Sequence, residues 1–578
     1  MKKFTADFET STWLPDESFV WAWALCEVGN VDNLRIGNTI ESFFETIKKE
    51  YNPVILFHNL KFDGEFILYY LLTNGYEHTD KKERKSKTFS TLISDMGLFY
   101  QIEVYFDVGK KTRKVTFIDS LKIINQSVSQ IATTFNLEES KLVIDYNAPR
   151  EKGHILTKEE KDYIKNDVVI VAKAMDYMYQ MGLTKMTAGS NALFEYRTIL
   201  TNKKFEKVFP KLTYECDKDI RQAYKGGFTF LNNLYESVDV GEGEVLDVNS
   251  LYPSVMYDCL LPFGEPVFFE GKYIEDKVYP LYIQRITCSF KIKKDKIPTI
   301  QIKHRQFIDN EYLTSSNDEI VALTLTNVDL KLFLEQYDVS DLMYVSGWKF
   351  KAMHGLFKDY IDKWIKIKNE STISGNRGMR QIAKIMLNSL YGKFATGLDV
   401  QSKIPYLEND IVKYKMGEKE TKDGVYLPMG AFITAYARDK TIRTSQAIKT
   451  YSINKYGKDL YYYSDTDSIH TGLPIEELKQ FCDIDDVKLG FWKHESHFTR
   501  ARFVRQKTYI EEIDGKMNIT CAGLPKRCYE QVDWNNFKVG LKVNGKLNLK
   551  HVKGGINLIE EEFTIKEDKR LIKAIKNM

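Results

Sequence analysis

What the chain lacks narrows its class before any motif is read. Its seven cysteines include no CxxC pair. An odd count without that spacing gives no disulfide framework and no zinc site, and points to a reducing compartment. No apolar run follows the two lysines of MKKFTADFET, so the opening residues do not read as a secretory signal. Nor does any uninterrupted apolar stretch approach the roughly 20 residues of a membrane helix, and no membrane partner is expected. GxxxxGK is absent, which argues against a P-loop ATPase or helicase. Charge of one sign is missing too: 83 Lys plus Arg against 80 Asp plus Glu leave +3. Net charge therefore neither announces nor excludes nucleic acid, because that footprint is local.

What is present is an ordinary soluble composition, 43% apolar and 28% charged. At 578 residues the chain should divide into roughly three to five domains. Tyrosine (35) and phenylalanine (34) are plentiful. Most will be core, although tyrosines on a groove wall also stack on sugars and bases.

The acids carry the chemistry. In YYYSDTDSIH, Tyr461 to His470, Asp465 and Asp467 stand two apart. On a strand they would face one spot, a repulsion that a divalent cation relieves, with substrate phosphates completing its shell. A plain surface hairpin turn is the competing reading of those residues alone. In EVLDVNSLYPSVM a strand ends in Asp247, with Asn249 and Ser250 as capping types and Pro253 suited to a first helical turn. That puts an acid beside free backbone N–H groups, where phosphates can rest, with Tyr252 flooring a sugar pocket. Asp247, Asp465 and Asp467 together could clamp two Mg²⁺ for attack of a 3′-hydroxyl on an α-phosphate.

The segment RGMRQIAKIMLNSLYGKF reads as a helix closed by Gly392. Arg377, Gln381, Lys384, Asn388 and Tyr391 step by 4, 3, 4 and 3 along one polar stripe. Lysine as a point charge, arginine as a fork (Arg377 or Arg380) and tyrosine as a flat surface suit a nucleoside triphosphate; a charged surface helix is the bland alternative. FVRQKTYIEEI places Lys507 and Tyr509 on one strand face, with Lys507 on the primer strand. YKGGF, Tyr224 to Phe228, has two glycines that let a backbone approach closely, or simply turn.

A second acidic set lies in the amino-terminal third. Asp7 and Glu9 share a strand face, Asp63 rides an early helix turn, and Tyr163 and Asp167 are four apart on a helix capped by Thr157 and Glu160. These acids could converge on two metals about 4 Å apart for phosphodiester hydrolysis, Tyr163 orienting the water. Singly, each is as readily a cap or a solvated acid.

DFET, HNLKFDG and YIKND resemble the three motifs of the 3′–5′ exonuclease domain of family B DNA polymerases. DVNSLYPS, KIMLNSLYG, YSDTDS and KTY resemble their polymerase motifs A, B, C and KxY, and YKGG resembles the YxGG/A motif joining the two domains. The resemblance runs from Asp7 to Tyr509 and is closest to the protein-primed subgroup of phages with linear genomes. It implies an α+β multidomain fold: an RNase H-like exonuclease domain (1–187), then a right-hand polymerase. The divisions expected are palm 188–258, a first insertion 259–357, fingers 358–394, a second insertion 395–430, palm 431–530 and thumb 531–578. Thr10, Asn59, Phe62, Ser120, Leu121 and Lys141 would line the path of a single-stranded 3′ end. Tyr224, Gly226, Gly227, Arg438, Lys507 and Tyr509 would contact DNA, and Val248 and Leu251 would join Tyr252, Arg380, Lys384, Asn388 and Tyr391 at the nucleotide. Asp7, Glu9, Asp167, Asp247, Val248 and Asp467 would hold metal, two Mg²⁺ per site with Mn²⁺ as a substitute, and Asp465 less centrally.

The implied partners are template and primer DNA, dNTPs and a terminal protein acting as primer, for a monomer in the host cytoplasm. The first insertion would meet the terminal protein and downstream duplex, and the second would enclose template and product. Lys225 departs from the family's motif, and NESTISGNRGM is longer than a compact fingers turn needs. A nuclease that cannot synthesise, a non-catalytic nucleic-acid-binding protein and a reverse transcriptase are the rival readings.

Overall fold

The computed structural model describes residues 2–79, 85–109, 111–146, 148–302 and 311–566; the mixed-charge helix expected at the chain's end lies outside them. Strand Lys3–Thr10 sits inside an eight-stranded sheet. It runs antiparallel to Val20–Glu27 and parallel to Val54–Phe57, which in turn runs parallel to Lys111–Asp119. The near-continuous apolar run of Val20–Glu27 follows from cover on both sheet faces. Ala22, Ala24 and Cys26 pack on helix Lys158–Gln180, while Trp23 and Leu25 pack on helices Ile40–Ile47 and Leu60–Thr73. Thr157 and Glu160 form the expected capping box on the long helix.

A second, five-stranded sheet has the order Trp492–Phe498, Gly243–Val248, Ser468–Thr471, Tyr461–Asp465, Thr229–Leu231, every pairing antiparallel. The 30-residue helix Leu427–Tyr456 packs on it. The division expected at 430–431 falls inside this helix. Helices Lys358–Ile373 and Arg377–Ser389 pack as a hairpin. The stretch that looked too long for a compact turn is mostly helix, and only 374–376 turns, with Gly375 at φ +70°. Gly392 does not close the second helix. The helix ends at Ser389, and Gly392 sits within a separate short one, Tyr391–Phe394.

Residues 259–357 were expected as strands and turns. They hold a four-stranded sheet and also helix Asn327–Gln336, which was overlooked although Thr326 caps it through the Asp329 amide. Strands Asp399–Glu408 and Ile411–Thr421 form a hairpin whose two turn residues, Asn409 and Asp410, are both left-handed, as a two-residue turn between twisted strands prefers. This hairpin leans on the first module rather than standing free: Val412 joins that module's core and Ser402 bridges to Ser94. The carboxyl-terminal hairpin Lys542–Val552/Gly555–Thr564 reaches the same place. Ile556 enters that core, and Asn557 Nδ2 donates to Leu14 O at 2.5 Å.

All three segments meet at Glu65, a buried acid of helix Leu60–Thr73. Tyr414 Oη donates to Glu65 Oε2 at 2.7 Å, and His551 Nδ1 lies 3.6 Å from the same oxygen. Burial pushes Glu65 up to about 8 from an ordinary 4.5. Its contribution to stability is therefore whole below the ordinary value and lost as pH rises through about 8. Glu65→Gln should gain on the wild type across that window, by about 2–4 °C in Tm between pH 6 and 9, read by differential scanning calorimetry.

Two candidate active sites

In the first sheet, strand alternation puts Thr5, Asp7 and Glu9 on the face that meets helix Lys158–Gln180, where Thr5 Oγ1 donates to Val168 O at 2.8 Å. That contact sets Asp167, the neighbour of Val168, against the strand's acids. Asp63 comes from the first turn of helix Leu60–Thr73, and its Oδ1 accepts from Phe8 N at 3.2 Å. Lys141 Nζ reaches Asp167 Oδ2 at 3.0 Å. Asp167 Oδ1 is buried with no hydrogen-bond partner among the described residues. Burial, then the charge of Asp167, raises Asp7 to about 7, with Lys141 opposing. Glu9 and Asp63 are pushed well above their ordinary values by burial and then by Asp7. Asp167 is also raised by burial, against the pull of Lys141. Four acids thus crowd around one lysine.

Tyr163 stands one helical turn before Asp167, its hydroxyl 2.6 Å from that of Tyr146, a residue that sequence reasoning missed. Burial, then Glu9, raises Tyr163 far above its ordinary range, so it stays a neutral phenol. Asn59 is left-handed (φ +83°), and its amide donates to Asp119 Oδ1 at 3.0 Å. The Leu121 amide donates to the same oxygen at 3.0 Å, so Asp119 ties the Asn59 and Leu121 backbones together. Ser120 is buried, and its hydroxyl is engaged by Phe57 O and His58 Nδ1. Thr10 is nearly buried at the strand end, and Phe62 half-buried.

In the second sheet, Asp247 lies opposite Ser468, and Val248 N donates to Asp467 O at 2.8 Å. Two acids remote in sequence become neighbours through a strand ladder. Asp465 and Asp467 do not share a strand face as expected. Asp465 ends its strand, whereas Asp467 lies in the turn beyond a left-handed Thr466 (φ +60°). Asp465 instead receives Lys507 Nζ on both oxygens, at 3.0 and 2.9 Å, and Thr229 Oγ1 at 2.9 Å. Lys507 also departs from expectation: it occupies the left-handed turn between strands Arg500–Arg505 and Thr508–Ile513, so it shares no strand face with Tyr509. Tyr509 packs among Tyr463, His470 and Phe503.

Burial, then Asp467 and Glu495, raises Asp247 to about 7, opposed by Lys493 and Lys384. Burial, and further on the charge of Asp465, raises Asp467, opposed by Lys507 and Lys384. The charge of Lys384, on helix Arg377–Ser389, is therefore felt at both acids. Lys368, which sequence reasoning passed over, is lowered by burial and then by Arg380, Lys384 and Lys493. Its Nζ lies 3.5 Å from Ser250 Oγ. Arg380 thus belongs to a cation cluster that Arg377, exposed at the helix start, does not visibly join. Lys384, Gln381 and Asn388 line a cleft of ≈ 490 Å³ whose other wall is Leu121 and Lys122 of the first module.

The capping role expected for Asn249 and Ser250 is not realised. Ser250 is left-handed without a side-chain cap, and Asn249 Nδ2 donates to Asp485 O at 2.7 Å. The first-turn amides of helix Leu251–Asp258 thus have no cap from either side chain. Val248 and Leu251 are buried, and their backbones are engaged in part, Val248 N by Asp467 O and Leu251 O by Ser254 Oγ at 2.7 Å. The rings of Tyr252 and Tyr391 stack, centroids 4.1 Å apart. Arg438, expected at DNA, is buried: its guanidinium forks onto Asp329 (2.7–3.2 Å) and donates to Lys225 O and Gly226 O at 2.8 Å. It positions the loop after the half-buried Tyr224 instead. Gly227 lets that loop lie against the acidic turn, since a Cβ there would sit 2.5 Å from Thr466 Oγ1.

The donors are oxygens only, the set a hard divalent cation takes. Among the described residues, no three His, Cys, Asp or Glu side chains enclose a metal by themselves. Substrate phosphate and water would complete each shell, as Mg²⁺ prefers. No helix among the described residues is long and apolar enough to cross a membrane.

The family model described as DNA polymerase type B, organellar and viral, matches residues 45–157 and 144–471. The DNA polymerases of Bacillus phages Nf and phi29 are 46% and 45% identical to this chain, over 98% of it and 100% and 99% of theirs. Phi29 DNA polymerase complexed with primer-template DNA matches at a TM-score of 0.91 and 44% identity, covering 98% of this chain and 100% of that one. The chain belongs to the type B DNA polymerases of organelles and viruses. Within them it is a phi29-like DNA-directed DNA polymerase with a 3′–5′ exonuclease, built as exonuclease, palm, fingers and thumb. The readings as a nuclease alone, a non-catalytic binder or a reverse transcriptase give way to this.

Gly227→Ala should cut primer extension about tenfold or more by displacing the Asp465–Asp467 turn, with digestion of single-stranded DNA unchanged in a parallel assay.

Proposed function

We propose that the two acidic sites divide synthesis and proofreading between them, and that the residues named above carry each. The observation that supports this most is the backbone bond between Val248 and Asp467, which pairs two acids under the reach of one fingers lysine. Asp247, the Val248 carbonyl and Asp467 hold the ions for synthesis; Asp7, Glu9 and Asp167, with Asp63 beside them, hold those for hydrolysis. Two Mg²⁺ per site, replaceable by Mn²⁺, supply Lewis-acid stabilisation of the attacking and leaving oxygens. Lys384, Arg380 and Lys368 bind the triphosphate, and the uncapped amides beside Asp247 receive its phosphates. Asn388 and Tyr391 border the base, and Tyr252 floors the sugar.

Lys507, held in its turn and paired with Asp465, places the primer strand opposite, and Tyr509 braces that turn from the aromatic cluster. The loop of Tyr224, Gly226 and Gly227 follows the DNA backbone, set by Arg438. Thr10, Asn59, Phe62, Ser120 and Leu121 guide a frayed 3′ end to the exonuclease site. There Tyr163 orients the attacking water and Lys141 neutralises charge on the scissile phosphate.

The substrates are template–primer DNA and dNTPs, as in the phi29 DNA polymerase complexed with primer-template DNA and incoming nucleotide substrates. We further read the enzyme as monomeric, working in the cytoplasm of a phage-infected cell. It copies a linear genome with strand displacement from the hydroxyl of a terminal protein. The chain divides as set out above, with 259–357 meeting that protein and the downstream duplex and 395–430 enclosing template and product. Extension of a primed circular template with and without the partner protein tests the last points. Failure to displace the strand ahead would reject them.

Asp467→Ala should abolish extension and spare 3′–5′ digestion, while Asp7→Ala with Glu9→Ala should do the reverse. Loss of both activities in both folded variants would sink the two-site assignment. Tyr252→Val should raise ribonucleotide incorporation about 10- to 200-fold in single-nucleotide extension, since the ring that meets a 2′-hydroxyl is gone.

A further inference from the structure

Strand Trp492–Phe498 forms one edge of the five-stranded sheet and pairs with the strand that carries Asp247. The register sets Lys493 directly across from Asp247. Residues so paired project from the same sheet face, with Cβ atoms about 4.5–5.5 Å apart. The next residue confirms the facing: His494 turns to the opposite side, where its Nε2 meets Glu244 at 2.7 Å. The charge of Lys493 is felt on two other elements, at Asp247 and at Lys368 of the fingers.

Lys368 thus feels the charges of Arg380, Lys384 and Lys493, and Asp247 those of Lys384 and Lys493, so the fields of the fingers cations and of the palm-edge lysine overlap beside that acid. Like charges so gathered repel one another, and Lys368 is already partly stripped of water. A polyanion between them turns that cost into a gain. The bland alternative is that Lys493 serves only Glu495, whose Oε2 lies 3.2 Å away. Those two side chains are 37% and 52% exposed, and an exposed pair of this kind is worth about 0–1 kcal/mol. Such a pair does not hold the lysine against a stronger partner.

We propose that Lys493 is a further substrate-binding residue of the polymerising site, leaving Glu495 to contact the β- or γ-phosphate oxygens of the incoming nucleotide and of the departing pyrophosphate. This rests on the reading of Asp247, Asp467 and Lys384 as that site. The contact is made to parts of the substrate distant from the bond being formed, so it should act on binding more than on the chemical step.

The test is steady-state incorporation of a single dNTP on a primed template by the full chain, with digestion of single-stranded DNA measured beside it. Lys493→Ala should raise the KM for dNTP about 3- to 10-fold with kcat within about twofold, and Lys493→Arg should recover most of the loss. Digestion should not change. If Lys384→Ala raises KM and Lys493→Ala leaves it where it was, the inference falls and the site stands. If neither variant moves KM, the site has been misassigned and both readings fall. A parallel loss of digestion in Lys493→Ala would also overturn the inference, because it marks a folding defect.

Discussion

The hydrogen bond from Val248 N to Asp467 O does more than close a ladder rung. It brings two carboxylates close together: burial and the charge of Asp467 push Asp247 toward its protonated form, and burial and the charge of Asp465 do the same to Asp467. A sheet built for stability alone would not put them there, since unpaired like charges in a drying environment work against folding. The surrounding architecture exists to keep them in place. Antiparallel strands fix the register, a left-handed Thr466 aims the second acid, and Gly227 leaves room for the loop that presses on that turn.

The acidic site of the first module solves the same problem with different parts. There a mixed sheet, the first turn of helix Leu60–Thr73 and a long capped helix supply the acids, and a single lysine from a loop answers them. In both places the cationic side chain comes from an element other than those bearing the carboxylates: Lys141 in one, Lys384 and Lys507 in the other. Charge balance is therefore a tertiary property. That explains how a chain with net charge +3 can hold two strongly acidic pockets.

Much of this was legible in the residues because strand and helix periods are local. Asp7 with Glu9, Tyr163 with Asp167, and the polar stripe as far as Asn388 follow from spacings that hold wherever the element packs, whereas Tyr391 lies beyond the end of that helix. What spacing could not give was the turn chemistry and the partners across space. Asp465 and Asp467 lie two apart in either conformation, but only a left-handed residue between them separates their roles. Arg438 was expected at DNA from the resemblance, and nothing nearby in sequence shows Asp329 waiting for it. Lys368 and Tyr146 were passed over for the same reason, their meaning coming from residues on other elements. The one-residue change of facing in Lys507 is the signature of a tight turn that the alternation rule does not register.

At Glu65 the hairpin Asp399–Glu408/Ile411–Thr421 and the carboxyl-terminal strands lean on one helical turn of the first module. Two arms that share a single seat bear load together. If either lifts, the carboxyl group is opened to water and its grip on the other weakens. Parting should thus be concerted rather than sequential, the two arms acting as one latch instead of two.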